Sequence, residues 1–284
     1  MSFQLESLAG RTTTREDAVD AHRWGAYHAF FGLDPTSARP LAFHWLLFND
    51  LPGPLRPDGH PVRMDPLPEL PFGRRMWAGG EILWRDFLTP GVRLRRTSVI
   101  GRAELKTGRS GQFLLCSLEH AITAQGRALL QERQDLVFLP TESRPGAAAT
   151  RAADFEPEWR QSTRAGSVKL FGYSALTLNE HRIHYDAPYT TGVEGYPGLL
   201  VHGPLLASQL MHAAAGRHGQ QVPSRFSYRA IAPLYVDEPY QLVGRRGLAG
   251  EELAVLGPDG GLRMTAVMSF GTADSAASAA DAAP

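Results

Sequence analysis

Between Ser174 and Leu206 the chain reads SALTLNEHRIHYDAPYTTGVEGYPGLLVHGPLL, which gathers His181, His184, Asp186 and His202 among glycines just ahead of a Leu/Ala-rich run. A neutral imidazole, with its reference pKa near 6.5, accepts a proton readily at pH 7, so these residue types suit general-base chemistry. They also suit a metal, since His181 and His184 are close in sequence, His202 follows, and Asp186 would be a fourth ligand. No dedicated metal motif accompanies them, and neither a metal nor another cofactor is expected. Polarity alone would equally describe a wet loop, so the elements on either side of the segment matter.

The run after His202 reads as a helix from Pro204 to Gly216, with Leu205, Leu206, Leu210, Met211 and Ala214 on its apolar side. Pro204 costs no hydrogen bond there, because the first-turn N–H groups have no intrahelical acceptor. Four strands are expected after it: SRFSYRAI, YQLVGR, EELAVL and LRMTAVMSF. In the last, Leu262, Met264, Ala266, Met268 and Phe270 alternate with Arg263, Thr265 and Ser269, the period of a half-buried strand.

The first half repeats that order. Thr13 followed by Glu16 resembles a capping box, and Ala18, Ala21, Trp24, Tyr27 and Phe31 continue a helical period, which predicts a helix near 14–31. The type of the apolar segment 41–48 is ambiguous at its length. Strands fill 80–139, separated by breaks at 108–111 and 124–126 that are too short for crossover helices, so the pairing is predicted to be antiparallel. Glu104, Lys106, Glu132 and Gln134 mark an expected wet face. A sheet with one apolar face must be covered, and a helix of small residues can lie close against it. The expected fold is therefore α+β, a double hot-dog in which each half wraps an antiparallel sheet around a central helix. Its parts are an N-terminal hot-dog at 1–140, a linker at 141–155, a C-terminal hot-dog at 156–272, and a disordered tail at 273–284.

The chain carries 29 Lys+Arg against 29 Asp+Glu, so no net charge draws it to nucleic acid or to an anionic membrane, and neither is an expected partner. The N-terminus lacks a basic segment followed by an apolar one, and no apolar run reaches the roughly 18 residues of a membrane span. A cytoplasmic location is the simplest expectation. Cys116, the single cysteine, excludes an intramolecular disulfide and reads as a buried small hydrophobe within FLLCSL.

The opening segment resembles the MaoC-like dehydratase/hydratase family, whose signature runs approximately Gly-Asp-x-Asn-Pro-Ile-His. His184 stands at the family's catalytic histidine, Ile183 before it, Arg182 at the proline, His181 at the asparagine and Asn179 at the catalytic aspartate. YPGLLVHG at 196–203 is similar to the family's glycine-rich entry to its central helix. Within the family, SALTLNEHRIHYD, PDGHP at 57–61, RRMWAGG at 74–80, RSG at 109–111 and QDLVF at 134–138 are similar to a branch of mesaconyl-C4-CoA hydratases and mitochondrial-type 3-hydroxyacyl-thioester dehydratases.

The resemblance implies reversible addition of water across a double bond conjugated to a thioester, in a C-terminal catalytic half whose N-terminal partner lacks the catalytic loop and helps to form the pocket. It implies an acyl-CoA substrate, or one carried on acyl carrier protein, and His184 as the base. Asn179 cannot titrate, so it is left to orient water or a substrate hydroxyl. The proton donor stays open between His184 itself and a carboxylate, Asp186 first and Glu180 behind it, and Asp186 equally suits fixing the loop. His202, at a helix start whose positive end disfavours a second charge, is expected to be neutral and hydrogen-bonded. Backbone N–H groups at Gly198 and Gly203, or their neighbours, are candidates to face the thioester oxygen. Arg74, Arg75, Arg109, Arg182, Arg225 and Arg229 are all candidates for CoA phosphates, and spacing does not rank them.

Three activities follow: hydration of mesaconyl-C4-CoA to a citramalyl thioester, dehydration of a 3-hydroxyacyl thioester, or thioester binding without turnover. A homodimer through exposed sheet edges is also expected.

Overall fold

A computed structural model of the protein describes residues 7–36, 39–49, 53–108, 111–140, 150–219 and 221–271. Most of the expected linker, all of the expected tail, and Arg109 lie outside these residues. The first half supplies β1 (Thr12–Ala18), β2 (Arg74–Trp84), β3 (Arg93–Gly108), β4 (Gly111–Ala124) and β5 (Arg127–Leu139). The second supplies β6 (Trp159–Arg164), β7 (Val222–Ala230), β8 (Pro239–Gly247), β9 (Gly250–Leu256) and β10 (Leu262–Gly271). They form one antiparallel sheet in the order β1-β3-β4-β5-β2-β7-β10-β9-β8-β6. Read outward from the middle, each half has the same topology, and the halves join where β2 pairs with β7 from Gly79↔Arg229 to Leu83↔Arg225. Hydrogen bonds thus carry the sheet from one half into the other.

The helices are α1 (Ala21–Phe31), α2 (Ser167–Thr177), α3 (Ala187–Gly192) and α4 (Gly203–Ala215). The central helix α4 lies within one residue of its expected span, and Leu205, Leu206, Ala207, Leu210, Met211 and Ala214 are all buried. They share a core with Tyr27, Phe43, Ile82, Tyr173, Phe226, Leu253 and Met268, which come from both halves. Its alanines bring the helix close to the sheet. Cys116 is buried in a second cluster with Ile100, Leu114, Leu118 and Leu136, and burial pushes its thiol up to about 11, the environment of a small hydrophobe.

Three expectations are corrected. The predicted helix at 14–31 begins instead at Ala21, because Asp20 is the N-cap and accepts from Arg23 N at 2.8 Å. Residues Thr12–Ala18, rich in β-branched threonine, form an edge strand on β3, where Thr12 faces Val99 and Thr14 faces Thr97. Glu132 lies inside rather than on the wet face, 5% exposed. Its Oε1 accepts from Trp45 Nε1 at 2.7 Å and Gln134 Nε2 at 2.9 Å, and Oε2 lies 3.4 Å from His44 Nε2. The segment that covers it includes a 3₁₀ turn at Phe43–Leu46, which settles the ambiguous apolar run. In β10 the register shifts between Leu262 and Met264, so Leu262 packs with Val243, Ala254 and Leu256 while Met264, Ala266 and Met268 enter the main core.

Candidate active site

Helix α2 ends at Thr177 with Leu178 in the left-handed region, φ 50°, and Asn179 N donates back to Ser174 O at 2.8 Å. That sharp exit sends the chain toward α4. Asn179 Oδ1 then accepts from His181 N at 3.1 Å, an Asx turn that shapes the loop. One lone pair of its carbonyl oxygen is therefore occupied, which leaves the second and the Nδ2 donors for a substrate or water.

His184 closes a 3₁₀ turn at Arg182–His184 and is 8% exposed. Its Nδ1 lies 2.9 Å from Leu200 O. A carbonyl only accepts, so Nδ1 carries the proton and Nε2 holds the lone pair. Nε2 makes no hydrogen bond among the described residues. Burial pushes the imidazole down to about 4, against the opposing Leu200 bond, which keeps it neutral at pH 7.

The ring of His202 stacks on that of His184, with centroids 3.6 Å apart. His202 is fully buried, sits at the N-cap of α4, and shares a 2.9 Å hydrogen bond between Nε2 and Ser174 Oγ. Burial first, and then His184, holds it well below the ordinary histidine range. Ahead of it, a Cβ on Gly203 would come within 2.7 Å of the Trp77 ring, so glycine there lets β2 of the first half pack on the start of α4. The Gly203 and Leu205 N–H groups open the helix without intrahelical acceptors. A Cβ on Gly198 would meet nothing within 4 Å, so its surroundings are open.

Asp186 caps α3, accepting from Tyr189 N at 3.0 Å through Oδ1, while Oδ2 receives Arg182 Nη2 at 2.7 Å. Arg182 holds its carboxyl below the usual range. Both oxygens are engaged by Arg182 and Tyr189 N, the arrangement of a group that fixes the loop. Asp186→Asn is accordingly expected to keep turnover within about tenfold of the unmodified protein, whereas removing a proton-transfer group costs about 100-fold or more. Steady-state rates of the two proteins decide between these. Glu180 keeps one buried carboxylate oxygen, Oε2, without a hydrogen-bond partner among the described residues.

Sequence reasoning gave no role to Asp58 and His60, which come from the first half and complete the site. His60 Nδ1 donates to Asp58 Oδ2 at 3.0 Å, and the two rings His60 and His181 lie 3.8 Å apart. His181 in turn meets the edge of His184 at 5.5 Å, so His60, His181, His184 and His202 form a row. Gly59, at φ +88°, lets this segment press on the loop, since a Cβ there would lie 2.0 Å from Glu180 O. Arg182 N donates to Asp58 O at 2.9 Å across the same contact. The signal available in the sequence was the segment PDGHP itself, which carries a Gly turn and an Asp–His pair but no hint of what it touches.

The donor atoms of Asp58, His60 and His181 lie within 4.8 Å of one another, a spacing that a cation could span. Asp58 is already the acceptor for both His60 N and His60 Nδ1, and the positive charges of Arg56 and Arg75 act on Asp58 and His60. Like charge opposes a divalent ion there. Of the candidate arginines, Arg74 pairs with Glu194, Arg182 with Asp186 and Arg225 with Glu81, while Arg75 forms no ion pair among the described residues and feels the charge of Asp58 only from a distance.

The architecture is a double hot-dog with one histidine-bearing loop at the head of the central helix, the layout of an acyl-thioester hydro-lyase. A solved MaoC-like dehydratase from Phytophthora capsici superposes with a TM-score of 0.73 at 13% identity, covering 95% of this chain and 99% of that one. A Mycobacterium tuberculosis protein described as a double hotdog fold superposes with a TM-score of 0.60 at 12% identity, covering 94% and 97%. These likenesses concern the fold. Residues 42–236 match the family of hydroxyacyl-thioester dehydratase type 2, and the chain belongs to that family. It is also 37% identical over 279 residues to the mesaconyl-C(4)-CoA hydratase of Chloroflexus aurantiacus, covering 92% of this chain and 96% of that protein.

Proposed function

We propose that the protein hydrates an enoyl-CoA thioester, with mesaconyl-C4-CoA as substrate and His184 as the base. The observation that carries this reading is the orientation of His184: its Nδ1 proton is fixed on Leu200 O, which leaves Nε2 as a lone pair at the head of α4. The 37% identity to a mesaconyl-C(4)-CoA hydratase supports the choice of substrate.

In the hydration direction, Nε2 takes a proton from water as the oxygen adds to the carbon β to the thioester. The electron pair of the double bond moves onto the thioester oxygen, which the free N–H groups at the start of α4 would stabilise. The resulting enolate is protonated at the α carbon, and the proton now on Nε2 is available for that step. Asn179 cannot supply it, and Asp186 is held by Arg182 and Tyr189 N, which leaves His184 itself first and Glu180, whose Oε2 has no hydrogen-bond partner among the described residues, second. In the first case one imidazole carries the proton in and out.

The family match supports a second reading, dehydration of a 3-hydroxyacyl thioester on CoA or acyl carrier protein, through the same steps reversed. Incubating the purified protein with mesaconyl-C4-CoA and with crotonyl-CoA, and following the conjugated absorbance, separates them. Turnover of the first only supports the leading reading, and turnover of the second only supports the alternative. No turnover on either, or on a wider panel of enoyl and 3-hydroxyacyl thioesters, would point to thioester binding without catalysis. No described helix is long and apolar enough to cross a membrane. The homodimer remains our proposal, tested by molecular mass in solution.

A further inference from the structure

Arg74 and Arg75 open β2 side by side, and the structure uses them differently. Arg74 is held by Glu194, with Nε donating to Oε2 at 2.9 Å. Arg75 faces a small solvent-connected cleft of about 40 Å³, room for a few waters or a carboxylate, whose lining includes Arg56, Asp58, His60 and Met64. The hydrogen bond it makes there, from Nη1 to Met64 Sδ at 2.8 Å, is to a neutral, weak acceptor.

The charges around it do not cancel. Arg56 donates Nη2 to Phe72 O at 2.6 Å and adds a second positive charge. Asp58 supplies one negative charge, and its two oxygens already accept from His60 N and His60 Nδ1. His60 and His181 are neutral at pH 7, because burial above all, with Arg75 contributing, pushes His60 down to about 4 and His181 well below its ordinary value. Burial lowers Arg75 to about 10, still charged at pH 7. Two arginines against one carboxylate leave the cleft with one unmatched positive charge, in surroundings that make an unpaired cation costly. His60, one of the lining residues, packs its ring on His181, which in turn meets the edge of the proposed base His184.

We propose that Arg75, with Arg56 behind it, receives the free carboxylate of a dicarboxylic enoyl thioester and so selects such substrates over monocarboxylic ones. This rests on the hydratase reading above, in which the free carboxylate of mesaconyl-C4-CoA sits on the same carbon that water attacks and must therefore lie beside the base. A guanidinium suits that task because it offers two parallel donors to a carboxylate. The phosphates of CoA present related chemistry, but every CoA thioester carries them, so they cannot distinguish one acyl group from another.

The test compares the unmodified protein with Arg75→Gln and Arg75→Lys on mesaconyl-C4-CoA and crotonyl-CoA. Arg75→Gln is expected to lower kcat/KM for the dicarboxylic substrate about 100-fold and to change it for crotonyl-CoA less than about threefold, with Arg75→Lys recovering part of the loss. Equal losses on both thioesters would assign Arg75 to the phosphates or to folding, and no loss on the dicarboxylic one would remove it from recognition; either overturns the proposal. Calorimetric binding of two saturated thioesters, butyryl-CoA and a methylsuccinyl-CoA with its free carboxylate on the methyl-bearing carbon, gives a readout without turnover. The unmodified protein is expected to bind the dicarboxylic one at least about tenfold more tightly, and Arg75→Gln to abolish that preference. Equal binding by the unmodified protein overturns the carboxylate proposal even if crotonyl-CoA is hydrated. A preference that vanishes with Arg75→Gln, in a protein that turns over no thioester, upholds Arg75 and overturns the hydratase reading instead.

Discussion

His184→Ala is expected to lower kcat by at least about 100-fold on whichever thioester the protein turns over, the usual cost of losing a general base. The size follows from the site, where the Leu200 bond fixes the His184 tautomer and leaves Nε2 as an open lone pair. His202 shares its Nε2 with Ser174 and keeps Nδ1 buried, Asn179 does not titrate, and the Asp186 oxygens are bonded to Arg182 and Tyr189 N. The substitution also strips Leu200 O of its donor, at a stability cost of about 1 kcal/mol. His184→Asn separates the two effects, since an amide nitrogen can replace Nδ1 as the donor to Leu200 O while nothing replaces the Nε2 lone pair. Both variants should therefore lose turnover together, with Asn the more stable of the two in thermal unfolding. Turnover within about tenfold of the unmodified protein in either variant would remove His184 from the base role.

Acid is expected to unfold the protein from the histidines downward. Burial holds His60, His120 and His184 at about 4 and His212 at about 3, and it keeps His181 and His202 well below 6.5. Between those values and 6.5 the unfolded chain binds protons that the folded chain refuses. The stability these rings contribute is full above pH 6.5 and is lost as the pH falls toward 4. A ring moved from 6.5 to about 4 gives up roughly 2 kcal/mol at pH 5, so His60, His120 and His184 together give up about 6 kcal/mol, comparable to the whole stability of many domains.

The melting temperature should therefore fall by more than about 10 °C between pH 7 and pH 5. Glu132 works in a separate window. Its partners, His44 first, overcome burial and hold its carboxyl at about 2, so its contribution is present above 4.5 and fades only as the pH drops from there toward 2. A melting temperature that stays level from pH 7 to 5 and falls only below 4.5 would mean that the carboxylates, rather than the imidazoles, govern acid stability.

The histidine-bearing loop, the helix after it and most of the strands were legible in the sequence, because each depends on neighbours a few residues away. Pro204 at a first turn, the spacing of Leu206, Leu210 and Ala214, and the alternation through Met264, Ala266 and Met268 are statements about one turn or one pleat. Where two local signals competed, the weaker reading lost. Thr13 and Glu16 imitate a capping box, but Asp20 caps the real helix and the threonines pair with β3. Glu132 gave no local sign that it is buried, since only the arrival of Trp45 and His44 over that face makes a carboxylate acceptable there.

By itself, then, the sequence determined the elements and the residues of one loop able to move a proton. Tertiary structure alone decided that Asp58 and His60 meet that loop, that Arg75 shares a cleft with them, and that Asp186 holds Arg182 and α3. The physical reason is distance along the chain. Periodicity and capping act over a few residues, whereas the meeting of His60 with His181 depends on the pairing of β2 with β7 and on Gly59 admitting Glu180 O, contacts that exist only once the two halves have closed on each other.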